Sequence, residues 1–148
     1  MHELVYALRF RGRATPVGPD GNILEAMTTA ASASFTTAVG PDGLTGSWQQ
    51  DAGEAATFAS EVTFTSDTSF QETGTITFGA GNILWFATVG QGYLASSVDL
   101  ARKHGAVTWR VEGGEGQFAG ASGLITSNFF VDDRLGVVDH HFGVLLVP

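Results

Sequence analysis

Five of the twelve residues from 112 to 123, E-G-G-E-G-Q-F-A-G-A-S-G, are glycine, and strand-like runs flank them at 106–111 and 124–131. Glycine reaches positive φ at no steric cost, so the stretch reads as a tight connection between two strands. That pairing constrains the chain most, because a short connection makes its neighbours antiparallel.

The rest of the chain repeats the pattern. Residues 4–13 alternate, with Leu4, Tyr6, Leu8 and Phe10 on one face and Val5, Ala7, Arg9 and Arg11 on the other. P-V-G-P-D-G-N at 16–22 is a loop, extended chain is expected from about Ser32, and Pro41-Asp42-Gly43 turns into a short strand at 44–50. Ala56–Phe64 alternates again, 67–72 should turn, and 74–78 should be strand. G-A-G-N at 79–82 is a hairpin connection into 83–89. Residues 93–104 read as one short helix stopped by Gly105, with an irregular crossover as the alternative. A turn at 132–136 leads to a last strand, 137–147. About eight strands with short turns predict one all-β domain over residues 1–148, an antiparallel closed barrel or, failing that, a sandwich. Closure also removes edges that this chain lacks the lysines and prolines to protect.

Charge and composition exclude several functions. Seven Lys and Arg stand against fifteen Asp and Glu, a formal charge of -8, which repels phosphate backbones and makes nucleic-acid binding unexpected. There is no cysteine, so disulfides and thiolate chemistry are out, and a cytoplasmic setting is expected. No apolar stretch approaches the length of a spanning helix and no girdles of aromatic residues mark strand ends, so membrane insertion is not expected. The runs Ile83-Leu84-Trp85-Phe86 and Val144-Leu145-Leu146-Val147 are apolar on both faces. Something must cover their outer side, and a homo-oligomer, dimer or trimer, is expected to do so.

The glycine-rich stretch lacks the G-K-S or G-K-T ending and the following helix of a phosphate loop. It does match G-G-x-G-x-F-x-G-x-x-G, through Gly113, Gly114, Gly116, Phe118, Gly120 and Gly123, and E-T-G-T-I-T-F-G at 72–79 precedes it. In these residues the chain resembles the allene oxide cyclase-like barrels, over residues 72–147. The resemblance implies an eight-stranded antiparallel barrel with an apolar lumen, glycines that shape the connection and a Phe118 that plugs it. It implies hydrophobic substrates steered by shape, without a metal or organic cofactor. The chain lacks the pocket cysteine of the plant cyclases, and residues 93–105 look inserted. No catalytic residue of those enzymes carries over.

Polar residues in apolar strands are the candidates for chemistry. His140 and His141 are adjacent, so they point to opposite faces and cannot chelate one metal together. His140, on the parity of Phe142, Val144 and Leu146, is the candidate to line the lumen as an acid–base group, against the plainer reading of one core and one exposed histidine. Arg110 and Glu112 share a face as a surface pair or, if internal, as a clamp for an anionic group beside Trp109. Asn128, on the parity of Thr126 and Phe130, is a sheet bond or a substrate anchor. Glu61, amid Phe58, Val62 and Phe64, would gain a raised pKa if buried. Arg9, Arg11 and Arg13 form a basic stripe, a solvated face or a rim at the barrel mouth. No H-E-x-x-H or G-x-S-x-G occurs, so neither metalloprotease nor serine-triad chemistry is expected. The residues expected at the site are therefore His140, Arg110 and Asn128 as catalytic groups, and Glu61, Trp109, Glu112, Phe130 and Phe142 as ligand contacts. The expected function is a cofactor-independent cyclase or isomerase for a small hydrophobic, oxygenated molecule. A non-catalytic binding barrel and a structural oligomer are the alternatives.

Overall fold

A computed structural model describes all 148 residues, Met1–Pro148. In chain order the strands are β1 (His2–Pro16), β2 (Ile23–Ala30), β3 (Ala33–Gly40), β4 (Gly43–Gln50), β5 (Ala56–Phe64), β6 (Ser69–Phe78), β7 (Ile83–Thr88), β8 (Gly92–Ser96), β9 (Arg102–Glu115), β10 (Ser122–Asp132) and β11 (Gly136–Val147). Strands β1, β2, β5, β6, β9, β10 and β11 each fill one position of a closed antiparallel barrel. The eighth position is shared end to end by β7 and β8, both of which pair with β6 and with β9. The expected eight-stranded closed barrel is thus the fold, and it has no free edge. Strands β3 and β4 pair only with each other, as a hairpin on the outside of the wall.

No helix forms over residues 93–104. Its first part is β8, its middle is a turn in which Asp99 accepts from the Ala101 amide and Arg102, and its last part already belongs to β9. Helical spacing loses here to ladder bonds with β6 and β9. The only helical turn is a 3-10 turn at Gly116–Phe118. Two further boundaries move: residues 23–30 are strand rather than a prelude to one, and β6 starts at Ser69, inside the expected turn.

The glycine-rich connection has two jobs. Phe86 opposes Val111 while Trp85 opposes Gly113, which leaves Glu112 as the extra residue of a bulge. Gly113 takes φ 134 there, a backbone state closed to larger residues. The 3-10 turn then folds Phe118 back over the barrel end, where it is buried against Phe78 at 5.2 Å. Burying such a ring stabilises by about 2 kcal/mol, so the connection also caps one end.

Cross-strand register fixes which face looks inward. Phe10 of β1 opposes Asp139 of β11, Ser127 of β10 opposes His141, and Ile125 opposes Trp109 of β9. Phe10, Phe58, Phe86, Trp109, Ile125 and Leu145 form the centre of the buried cluster. Phe58 holds the aromatic part together, 5.4 Å from both Phe86 and Trp109. Gly143 is required where it stands, because a side chain there would run into the Tyr6 ring.

Candidate functional site

Beside the capped end lies an open hollow of about 410 Å³ against Tyr6, Leu8, Phe78 and Phe118, and the opposite end of the barrel is hollow too. A cavity of about 530 Å³ opens between the end of β1, the start of β2 and the turn from β10 to β11. Its wall is apolar, carried by Leu24, Val62, Phe64, Phe70, Leu94, Phe129 and Val131. Arg102, Lys103, Asp132, Asp133 and Leu135 stand at its mouth. Asp132 shapes this rim by accepting from the amides of Arg134 and Gly136 at 2.9 and 2.8 Å, which hold its carboxyl below the usual carboxylate range. The floor is polar: Thr28, Glu72, Ser127 and Asp139 reach the cavity beside Phe58.

Glu72 sits on the inner face of β6 beside the gap between β7 and β8. Its backbone has no ladder partner on that side, and the Thr88 hydroxyl replaces one, accepting from the Glu72 amide at 2.7 Å and donating to its carbonyl at 2.9 Å. The carboxyl itself accepts from the Ser60 hydroxyl at 2.6 Å. Its pKa is raised to about 8, chiefly by burial and also by the Asp139 charge, with Ser60 and Trp109 acting against the rise. The Trp109 indole N–H lies close enough to act on Glu72 without reaching hydrogen-bond geometry. Near neutral pH this carboxyl is therefore a neutral O–H donor.

Asp139 is bonded differently. Ser127 donates to Oδ1 at 2.7 Å, and His141 Nε2 lies 2.9 Å from Oδ2. His141 is 1% exposed, stacked on Phe10 at 4.2 Å and edged by Trp109 at 5.0 Å. Burial, and Asp139 after it, pushes the Tyr6 phenol up. Four buried polar atoms of the interior lack a protein partner: Tyr6 OH, Thr28 Oγ1, Trp109 Nε1 and His141 Nδ1. An unmet buried polar atom is costly. Of these four, the Thr28 hydroxyl belongs to a residue that lines the cavity, beside Glu72 and Asp139, where a ligand's polar group can meet it.

The residues expected from the sequence lie almost entirely on the other face. His140 is on the outer wall, edge-on to Phe35 of the hairpin at 6.2 Å, so it does not line the lumen; its neighbour His141 is the inward one. Asn128 lies across the ladder from His140, and its Oδ1 is 2.7 Å from His104 Nε2. Arg110 and Glu112 pair on the outside at 2.7 Å, each exposed. Glu61 is exposed opposite Glu25. Phe130 lies outside between the His104 ring at 4.2 Å and the Arg102 guanidinium at 3.9 Å, and Phe142 is half-exposed. Only Trp109 faces inward, and it adjoins the floor without lining the cavity. Asn128, His104 and Phe130 do come together, but on the outer wall. Arg9 is outside too, over the Trp48 ring.

Sequence reading missed Glu72, because it stands where a turn was expected, and it passed over Asp139 and Ser127. A usable signal was Gly143, a glycine in mid-strand that leaves room for a large ring on its own face. No cluster of three His, Cys, Asp or Glu residues is assembled that could hold a metal ion. No helix is long and apolar enough to cross a membrane. No protein-family model, curated protein or solved structure matches the chain.

Proposed function

We propose that this barrel is a cofactor-independent isomerase or cyclase that takes a small, mainly apolar, oxygenated molecule into its lumen and moves a proton within it. One observation carries the reading: an apolar cavity ends on two carboxyl groups whose surroundings differ. Glu72 keeps its proton near neutrality and Asp139 is surrounded by donors. Two such groups whose environments separate their proton affinities supply an acid and a base. Glu72 would donate to the ligand oxygen while Asp139 takes a proton from the neighbouring carbon. Asp139 then delivers that proton to a second carbon as the oxygen returns its own to Glu72. In a ring closure, the enol carbon instead attacks a C–O carbon of the same molecule, whose released oxygen takes the proton from Asp139 while the enol O–H returns to Glu72. The apolar wall excludes water and strengthens both interactions. Ser60 positions Glu72; Ser127 and His141 position Asp139. The likeness of residues 72–147 to allene oxide cyclase-like barrels supports the same class, as does a lumen open at one end. A cytoplasmic setting belongs to this reading, on the cysteine-free composition.

An apolar dye should bind in the lumen and be displaced by 2-decanone. In deuterated water the protein should speed deuterium uptake at the carbons beside that carbonyl. Glu72→Gln and Asp139→Asn should keep dye affinity within about threefold and lower exchange by about 10² or more, as loss of an acid–base group does. Dye binding without accelerated exchange would replace the enzyme by a binding barrel, in which Glu72 serves only as an anchoring donor. Failure of the dye to bind would overturn both.

A second copy of the chain is the proposed cover for the outer wall. Val5, Leu124, Phe142, Val144 and Leu146 adjoin one another across β10, β11 and β1, at 53, 52, 51, 37 and 38% exposure. The β3–β4 hairpin adds Val39 and Leu44 at its tip, 83 and 74% exposed, on the face that rests its base on the barrel through Phe35 and Trp48. A two-stranded hairpin is marginal alone in water, and two uncovered apolar surfaces on one chain suit a self-association. Light scattering should give a dimer or trimer that Phe142→Glu converts to monomer; a monomeric wild-type protein would contradict it.

A further inference from the structure

We infer that the ligand enters polar end first and carries a hydroxyl and a carbonyl on adjacent carbons, so that the substrates are neutral vicinal hydroxycarbonyl compounds with an apolar tail. The inference rests on the lumen being the binding site, and goes beyond it by reading the floor as a hydrogen-bond template. Of the four polar residues on the floor, Ser127 gives its proton to Asp139, which leaves three groups for a ligand. Glu72 offers a donor, since one oxygen already accepts from Ser60 and its proton is free for a ligand. Asp139 offers acceptor lone pairs, with one donor already on each oxygen. Thr28 is 4% exposed, and its hydroxyl has no partner, so it can give or take one bond. The template is therefore one donor, one acceptor and one group that does either.

Ligand head groups differ in how they meet that template. A carboxylate has acceptors only and brings its charge beside Asp139. An ammonium satisfies Asp139 but gives nothing to the Glu72 proton. A lone ketone uses Glu72 and leaves Asp139 unmet, and a lone hydroxyl serves one carboxyl well and the other poorly. A carbonyl next to a hydroxyl answers Glu72 and Asp139 together, and Thr28 takes the remaining lone pair. A sugar would meet the floor but not the phenylalanine wall of Phe64, Phe70 and Phe129. The same placement suits the chemistry. Asp139 moves a proton from the hydroxyl-bearing carbon to the carbonyl carbon, and Glu72 passes one between the two oxygens. The hydroxyketone becomes its isomer, with no oxidant and nothing lost.

Competition for the apolar dye at pH 7 tests this with matched chains: 1-hydroxy-2-decanone, 2-decanone, decanol, decanoate and decylamine. The hydroxyketone should bind about tenfold or more tightly than 2-decanone and decanol, the value of one hydrogen bond to a charged group, and decanoate should bind weakest. Asp139→Asn should shrink the margin between hydroxyketone and ketone to about threefold or less. Thr28→Val, a milder change, should shrink it part of the way. Tightest binding by decanoate or decylamine, or no margin between hydroxyketone and ketone, would overturn the inference while leaving the lumen as a site. A dye that binds in no competitor's presence or absence would remove the lumen reading and this one with it.

Discussion

The two faces of strands β9, β10 and β11 carry the same kinds of residue and do different things with them. Inside, Trp109, Ser127, Asp139 and His141 join one hydrogen-bonded and aromatic group, all nearly inaccessible. Outside, Arg110, Asn128, His140 and Phe142 are exposed, with partners at the surface or none. His140 and His141 are neighbours in the chain, and a single step decides which one is enclosed. The difference shows that residue type alone does not make a site in a barrel; parity against the neighbouring strands does.

The largest contrast should be in stability. Trp109→Ala should cost about 3–5 kcal/mol, because it empties the contact between Phe58, Phe86 and His141. Arg110→Ala, one residue along, should change stability by about 0.5 kcal/mol or less in urea unfolding. Comparable losses at the two positions would break the contrast.

Glu72→Gln sharpens it by pH. The folded state holds the Glu72 proton up to about pH 8, against an ordinary value of 4.5. Between those values the unfolded chain binds fewer protons at this site, so this group makes the wild-type protein lose stability as pH rises, with the full loss above 8. A shift of that size corresponds to several kcal/mol. Glutamine has no proton to lose, so the variant should gain on wild type through this window. A constant difference across pH 5–9 would mean the carboxyl is not enclosed as described.

Gly143→Ala should cost about 1–3 kcal/mol by pressing on the Tyr6 ring. The smallest effects belong to the outer wall: His140→Ala and Asn128→Ala should each stay within about 0.5 kcal/mol and leave dye binding unaltered. A loss of dye affinity at His140 would reassign the site to the hairpin side.

Much of the barrel was legible in the sequence, because strand periodicity and turn residues are local signals. The glycine-rich stretch located the connection between β9 and β10, while a Phe118 closing the barrel end was expected from the family resemblance rather than from any local signal. The site was much less legible. On β11 the even parity holds Phe142, Val144 and Leu146 and so looks more apolar than the odd parity of Asp139, His141 and Gly143, yet the odd one faces in. Local hydropathy therefore pointed outward, and only the pairing with Phe10, Leu8 and Tyr6 of β1, more than a hundred residues away, reverses it. Glu72 was hidden for a similar reason: its burial depends on closure of the barrel around it, and its own neighbours, Gln71 and Thr73, are polar. The absent helix over residues 93–104 is the converse case, local spacing overruled by strands on both sides.

The Glu72 carboxyl can be followed directly, by isotope-edited NMR of its side-chain carbon during a pH titration of the intact protein. The enclosed inner face described here predicts a midpoint near pH 8, moving lower in Asp139→Asn as the neighbouring charge is removed. A midpoint in the ordinary carboxylate range, unmoved by that substitution, would contradict it.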